Sequence, residues 1–211
     1  AILRKDFRLY RRDLRNLSRM VTPLILGIIY AFMAIRGGEM YSQNNADVME
    51  PWRTILDTSF LYSDVLLALF IGWILTSSIA GLAFSMEGAQ YANLKGAPLN
   101  SWQLIRAKFL TSWLPAAVLC FVYILVLQLV RGFDPAAFLL AEVAVTAILS
   151  GLTGIYLSFG VAGAKFDWTN PNEMGKSVGC LGMIAGAAFV PLGMLLFVGP
   201  PVLFVLLRWP I

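Results

Sequence analysis

Glu142 places a carboxylate about two turns into an apolar run, between Phe138-Leu139-Leu140-Ala141 and Val143-Ala144-Val145. An ionisable group at that depth is costly, which makes it a functional candidate by default. The competing reading is a side chain that reaches back to the interface or hydrogen-bonds a neighbouring helix. Thr76, Ser77 and Ser78 stand in an earlier apolar run, Gln128 in the next, and Ser150, Thr153 and Ser158 in the run that holds Glu142. Such side chains either line a polar path or hydrogen-bond between helices. The candidate intramembrane polar site is therefore Glu142, Thr76, Ser77 and Gln128. Other chemistry is missing. There is no histidine, which removes histidine-ligated haem, histidine proton relays and histidine triads. Cys120 and Cys180 lie in or beside apolar runs and read as packing residues, not as a disulfide. No G-x-x-x-x-G-K-[ST] phosphate loop is present, and no apolar run carries paired carboxylates. No catalytic residue and no metal-ligand set is assigned.

The elements that must position these side chains are membrane helices. Of 211 residues, 59% are hydrophobic and 13% charged, with a mean hydropathy of +0.75; a soluble domain carries about a quarter charged residues. The runs Met20–Ile35, Val65–Phe84, Phe109–Val130, Ala136–Ala164 and Val178–Val198 are of bilayer-crossing length or slightly short of it. The expected fold is all-α: a polytopic helical membrane protein of five to six transmembrane helices. Gly199-Pro200-Pro201 is expected to break the fifth helix. Val202–Ile211 is then a partial segment, a re-entrant piece or the start of a sixth span. Two regions follow, an interfacial helix over 1–20 and a transmembrane domain over 21–211.

Residues 1–20 carry Leu3, Phe7, Tyr10, Leu14 and Leu17 at spacings of four, three, four and three, with seven Lys and Arg on the remaining face. That is an amphipathic helix for the membrane surface, its basic side toward anionic headgroups. The pI near 9.2 reflects basic residues placed beside spans and points to no nucleic acid. Their distribution sets orientation. The chain start, 85–108 and 165–177 hold twelve Lys and Arg; the other connections and the chain end hold four. The positive-inside rule puts the first group in the cytoplasm.

Met86–Lys108 is a connection on that cytoplasmic side, between the second and third spans. Ala89–Lys95 suffices for about two helical turns, Gly96 and Pro98 break them, and Asn100 or Ser101 caps the helix that leads into the next span. The two readings are an ordered loop, or a surface helix on which a soluble partner pushes both spans.

Three stretches together resemble the permease subunit of a type-two ABC exporter. Leu3-Arg-Lys-Asp-Phe-Arg8 with Arg11-Arg12-Asp13 resembles the family's elbow helix. Glu87, Leu94, Pro98, Leu99, Ser101 and Lys108 resemble its coupling segment. Phe166-Asp-Trp-Thr-Asn-Pro171 resembles a loop of one bacterial branch. The resemblance implies coupling of a separate cytosolic ATP-binding cassette subunit to substrate export, with Glu87, Leu94, Pro98, Leu99, Ser101 and Lys108 as the coupling residues. It further implies a chain that is not itself an enzyme, with no cofactor bound directly and ATP and Mg on the partner. A second permease unit, either a copy or the other half of a longer chain, and the bilayer complete the expected partners, in a bacterial plasma membrane. The alternative is a structural or assembly subunit of a larger membrane complex.

Overall fold

Nothing from Trp52 to Ile71 is glycine or proline, so nothing in that stretch stops a helix once it has started. A computed structural model describes residues 21–33, 50–90, 100–131, 133–167 and 179–197, with single positions at 36, 96 and 200. In it one helix runs unbroken over Glu50–Ala80. The helix that contains the apolar run Val65–Phe84 therefore starts well before that run, because no breaker separates the run from the residues ahead of it.

We number the helices α1 (Val21–Met33), α2 (Glu50–Ala80), α3 (Ser101–Arg131), α4 (Pro135–Ala162) and α5 (Gly179–Phe197). A 3-10 turn over Ser85–Gln90 follows α2. The described residues contain no strand. The stretches Tyr62–Gly88, Ser101–Val130 and Pro135–Ala162 are long and apolar enough to cross a membrane, while Val21–Met33 and Leu181–Phe197 are shorter apolar helices. The expected interfacial helix over 1–20, the partial segment 202–211 and most of 89–99 lie outside the described residues.

Local chemistry explains the starts of α3 and α4. Asn100 is the cap of α3: its Oδ1 accepts from the Trp102 N–H, and its carbonyl accepts from Gln103 and Leu104. Asp134 caps α4, with Oδ1 accepting from the Ala136 N–H at 3.1 Å, and Pro135 supplies a first helical residue that needs no donor. Asp134→Ala should cost about 1 kcal/mol. A thermal unfolding midpoint in nanodiscs equal to that of the parent chain would show the cap to be idle.

The α2, α3 and α4 helices pack against one another around Leu69, Ile71, Leu75, Ile124, Leu127 and Leu149, all buried. The α5 helix lies chiefly on α4. Val118, Leu129, Val143, Leu192 and Leu195 point outward and are exposed, as lipid-facing residues are. Lipid tails are as apolar as leucine, so burial alone does not hold such a bundle; close packing does. Gly72 is where the three central helices meet: a Cβ there would stand 2.6 Å from Cys120 Sγ and 2.7 Å from Leu149 Cδ1. Gly151 likewise receives the Phe189 ring, and Gly193 the Ile148 side chain.

The series Ser150, Gly154, Ser158 recurs every four residues, yet no helix among the described residues packs on it. Among the described residues nothing lies within 4 Å of a Cβ added at Gly154, and both serines donate to carbonyls of their own helix. Gly186 of α5 does pack closely, beside Tyr156 Oη and Trp73 Nε1. The indole N–H there donates to the tyrosine hydroxyl.

Candidate functional site

The three central helices are tied together just past the end of α2. From Gly81 the chain leaves α-helical geometry and turns into Ser85–Gln90, held by Met86 N–H to the Leu82 carbonyl and Glu87 N–H to the Phe84 carbonyl. Gly88, at φ 51 and ψ −137, adopts a backbone conformation that side chains disfavour and glycine accepts. It redirects the chain immediately after Glu87.

Glu87 accepts from Lys108 Nζ at 2.5 Å, and the two side chains are only 8% and 6% exposed. Lys108 stands two turns into α3, so the pair fastens the turn after α2 to the start of α3. The third helix joins through two backbone approaches. The Lys165 N–H, just after α4, donates to Ser85 Oγ at 3.2 Å. Gly160 lies against the end of α2, where a Cβ would stand 2.9 Å from the Ala80 carbonyl oxygen. Ala83, Phe84 and Leu157 are buried here with Leu104, Phe109 and Ala164 against them, a small apolar cluster separate from the main core. Glu87 and Lys108 are thus an ion pair withdrawn from water, one end of a joint that spans α2, α3 and α4.

A buried pair of this kind contributes little net stability against an apolar replacement, because desolvation offsets the attraction. Its physical consequence is directional. Neither partner moves away without giving up this buried contact, so displacement of the turn carries the start of α3 with it.

The structure accounts for the expected residues unequally. Glu87 and Lys108 come together. Ser101 is the first residue of α3 and is exposed. Leu94, Pro98 and Leu99 lie outside the described residues. The intramembrane set is split. Ser77 Oγ donates to the Ile74 carbonyl of its own helix. Thr76 is fully buried in α2. Gln128 is near the Asp134 end of α3, and Glu142, in the Asp134-end half of α4, has a buried Oε1 without a hydrogen-bond partner among the described residues. Gly72 opposes Leu149 and α2 runs parallel to α4, which sets Thr76 level with Thr153. Glu142 is eleven residues from that level, roughly 16 Å along the helix. Thr76 and Glu142 therefore do not share one site. Ser85, Gly160 and Lys165 were not singled out by sequence. A serine, a glycine and a backbone N–H have no periodicity that marks them, and only the packing of α4 on α2 reveals them.

A family model described as "Putative ATP-binding cassette" matches residues 1–208. No curated protein and no solved structure matches the chain. The family description corrects four expectations: the permease resemblance, the function of an exporter permease, the non-enzyme reading, and the assignment of ATP and Mg to a partner alone. Those expectations rested on the resemblance of the elbow, coupling and Phe166–Pro171 stretches and on a missing phosphate loop, and the family that matches is named for the cassette and its ATP.

The described residues do not themselves fit a nucleotide. Polyphosphate recognition needs a cradle of N–H groups with a free lysine, and Mg needs carboxylates. Among the described residues Lys108 is buried against Glu87, the exposed Lys165 follows the C-terminal end of α4, not a helix start with open N–H groups, and no group of three acidic, histidine or cysteine side chains is placed to hold a metal ion. Gly175-Lys176-Ser177 repeats the last three positions of the phosphate-loop motif, but Asn170 stands where its first glycine belongs. These three lie outside the described residues, and the described element before them is the helix α4.

Proposed function

This chain belongs to the family described as "Putative ATP-binding cassette", and from that premise we propose that it supplies membrane-embedded helices to an ABC transporter system and that Ser85–Lys108 passes movement between those helices and the rest of the system. The observation that carries this reading is the buried Glu87–Lys108 pair. It fastens the end of one membrane-length helix to the start of the next at a place where a third helix is also tied down. A push on the turn is shared by all three helices instead of being absorbed in a loop.

In this reading residues 21–211 are the membrane domain, crossing at least five times, and residues 1–20 lie on its surface as an interfacial helix. Twelve of the sixteen Lys and Arg fall on the side of the joint, which supports a cytoplasmic joint in a bacterial plasma membrane. Ala89–Leu99 is the portion that a partner subunit would meet, a cytosolic ATP-binding cassette partner foremost. Leu94 and Leu99 would be its apolar contacts, and Pro98 and Ser101 would shape the turn into α3. A second membrane unit and the bilayer complete the assembly.

The test is Leu94→Asp. The chain should remain in the membrane at normal abundance, while recovery of the partner subunit in co-purification falls at least tenfold. A charge forced into a small apolar contact costs more than the roughly 1.4 kcal/mol that a tenfold loss represents. Undiminished recovery would remove Ala89–Leu99 as the contact.

A further inference from the structure

Near its start the α3 helix carries positive charge on two opposite sides. Lys108 points inward and is buried against Glu87. Arg106, two residues earlier and roughly 200° round the helix, is exposed. Among the described residues it makes no ion pair and no side-chain hydrogen bond. Trp102 stands four residues before it and Gln103 three, both exposed, the indole to 62%. Residues three and four apart are neighbours on a helix surface. The indole, the amide and the guanidinium therefore form one patch on the first turns of α3.

The patch heads a long apolar ridge. From Trp102 every fourth residue of α3 through Val130 is exposed, and all of them except Arg106 are apolar. Leu110, Leu114 and Val118 are the next three after Arg106. The other side of the helix, with Ala107, Thr111, Ala116, Cys120 and Leu127, is buried in the bundle. From Leu110 to Val130 the ridge rises roughly 30 Å, the thickness of a hydrocarbon core. Arg106 then lies about 6 Å beyond the edge of that core, in the layer of lipid phosphates, with Trp102 a further turn out. This end of the bundle is the side that holds twelve of the sixteen Lys and Arg, and the cytoplasmic leaflet is the one that carries anionic lipid.

We propose that Trp102, Gln103 and Arg106 bind the phosphate of an anionic phospholipid whose acyl chain lies along Leu110, Leu114 and Val118. The guanidinium offers a charge and paired N–H donors to phosphate oxygens, and the Gln103 amide offers a further donor. The Trp102 indole suits the boundary between headgroups and acyl chains. A single cation at the head of an unbroken apolar ridge fits a ligand that is charged at one end and apolar along the rest. A soluble partner would match the patch but not the ridge. The site rests on the membrane placement of α3 proposed above and not on the coupling role of Ser85–Lys108.

The full chain in phosphatidylcholine nanodiscs tests it. A trace of phosphatidylglycerol with a nitroxide near the top of one acyl chain is included, or phosphatidylcholine with the same label. The readout is broadening of the Trp102 indole N–H signal, assigned by its loss in Trp102→Phe. The anionic lipid should broaden it about fivefold more than the neutral one, the attraction expected of one basic side chain at the surface. Arg106→Gln should remove most of that difference, and Arg106→Lys should keep most of it. Equal broadening by the two lipids in the parent overturns the site, whether or not the variants fold, and so does a difference that survives Arg106→Gln. Broadening by neither lipid, with the chain in the nanodisc, means that protein covers the patch, a second copy or a partner, and the lipid site falls. A chain that does not enter the nanodisc overturns the membrane placement of α3 and the lipid site with it.

Discussion

Lys108→Met is expected to lower the unfolding midpoint of the membrane-embedded chain on the order of 10 °C. The variant leaves the Glu87 carboxylate buried with its cation gone, and both side chains are nearly closed to water in the parent. Breaking one side of a buried pair costs about 3–5 kcal/mol, most of it the desolvation of the survivor. For a chain of this size each kcal/mol moves the midpoint by about 2–4 °C. The double variant Glu87→Gln with Lys108→Met removes both charges and should recover more than half of the loss. Intrinsic tryptophan fluorescence during a thermal ramp in nanodiscs reads all three chains. A single variant as stable as the parent would mean that the pair is open to solvent, and the joint between α2 and α3 would lose its fastening.

Gly160→Ala and Gly154→Ala make the same chemical change six residues apart on α4, and they should act with opposite signs. At Gly160 the new methyl meets the Ala80 carbonyl oxygen at 2.9 Å and the Gly81 carbonyl oxygen at 3.0 Å. Those are backbone atoms, so no rotamer change relieves the contact and α4 must shift away from α2. Overpacking of this kind costs about 1–3 kcal/mol. At Gly154 nothing among the described residues lies within 4 Å of the new methyl. There the gain is the helix preference of alanine over glycine, about 0.5–1 kcal/mol. Unfolding midpoints measured side by side should separate by several degrees, with the parent between the two. If both variants move in the same direction, the close approach of α2 and α4 at Gly160 is wrong.

The same pair of glycines marks the limit of what spacing along a chain reveals. Gly154 sits in the regular spacing Ser150, Gly154, Ser158 and looks like a packing ridge; Gly160 sits in no such series. Spacing along one helix identifies a shared face, but it does not say which face a neighbouring helix covers. The joint shows the same limit. Glu87 and Lys108 were legible as a related pair through a family resemblance, yet nothing local to either announces that they touch across twenty-one residues. The resemblance also pointed past the mark. It named a permease, whereas the matching family is described by its ATP-binding cassette, and helix length and apolarity report on solvent, not on the family's name.

What the amino-acid order determined by itself is what depends on near neighbours. Apolar runs with few charges produced the three membrane-length helices, since backbone groups in lipid must be satisfied within their own segment. Asn100, and Asp134 with Pro135, set the starts of α3 and α4 through hydrogen bonds that reach only two residues. Tertiary structure decided whatever depends on how helices cross. It brought Cys120 to Gly72, Ser85 to Lys165 and Glu87 to Lys108, and it left Thr76 facing into the core while its neighbours Ser77 and Ser78 bonded their own helix. In lipid these crossings are chosen by contact shape, one small residue against one large one, because burial favours no face over another. Contact shape belongs to pairs of helices and has no period along either one.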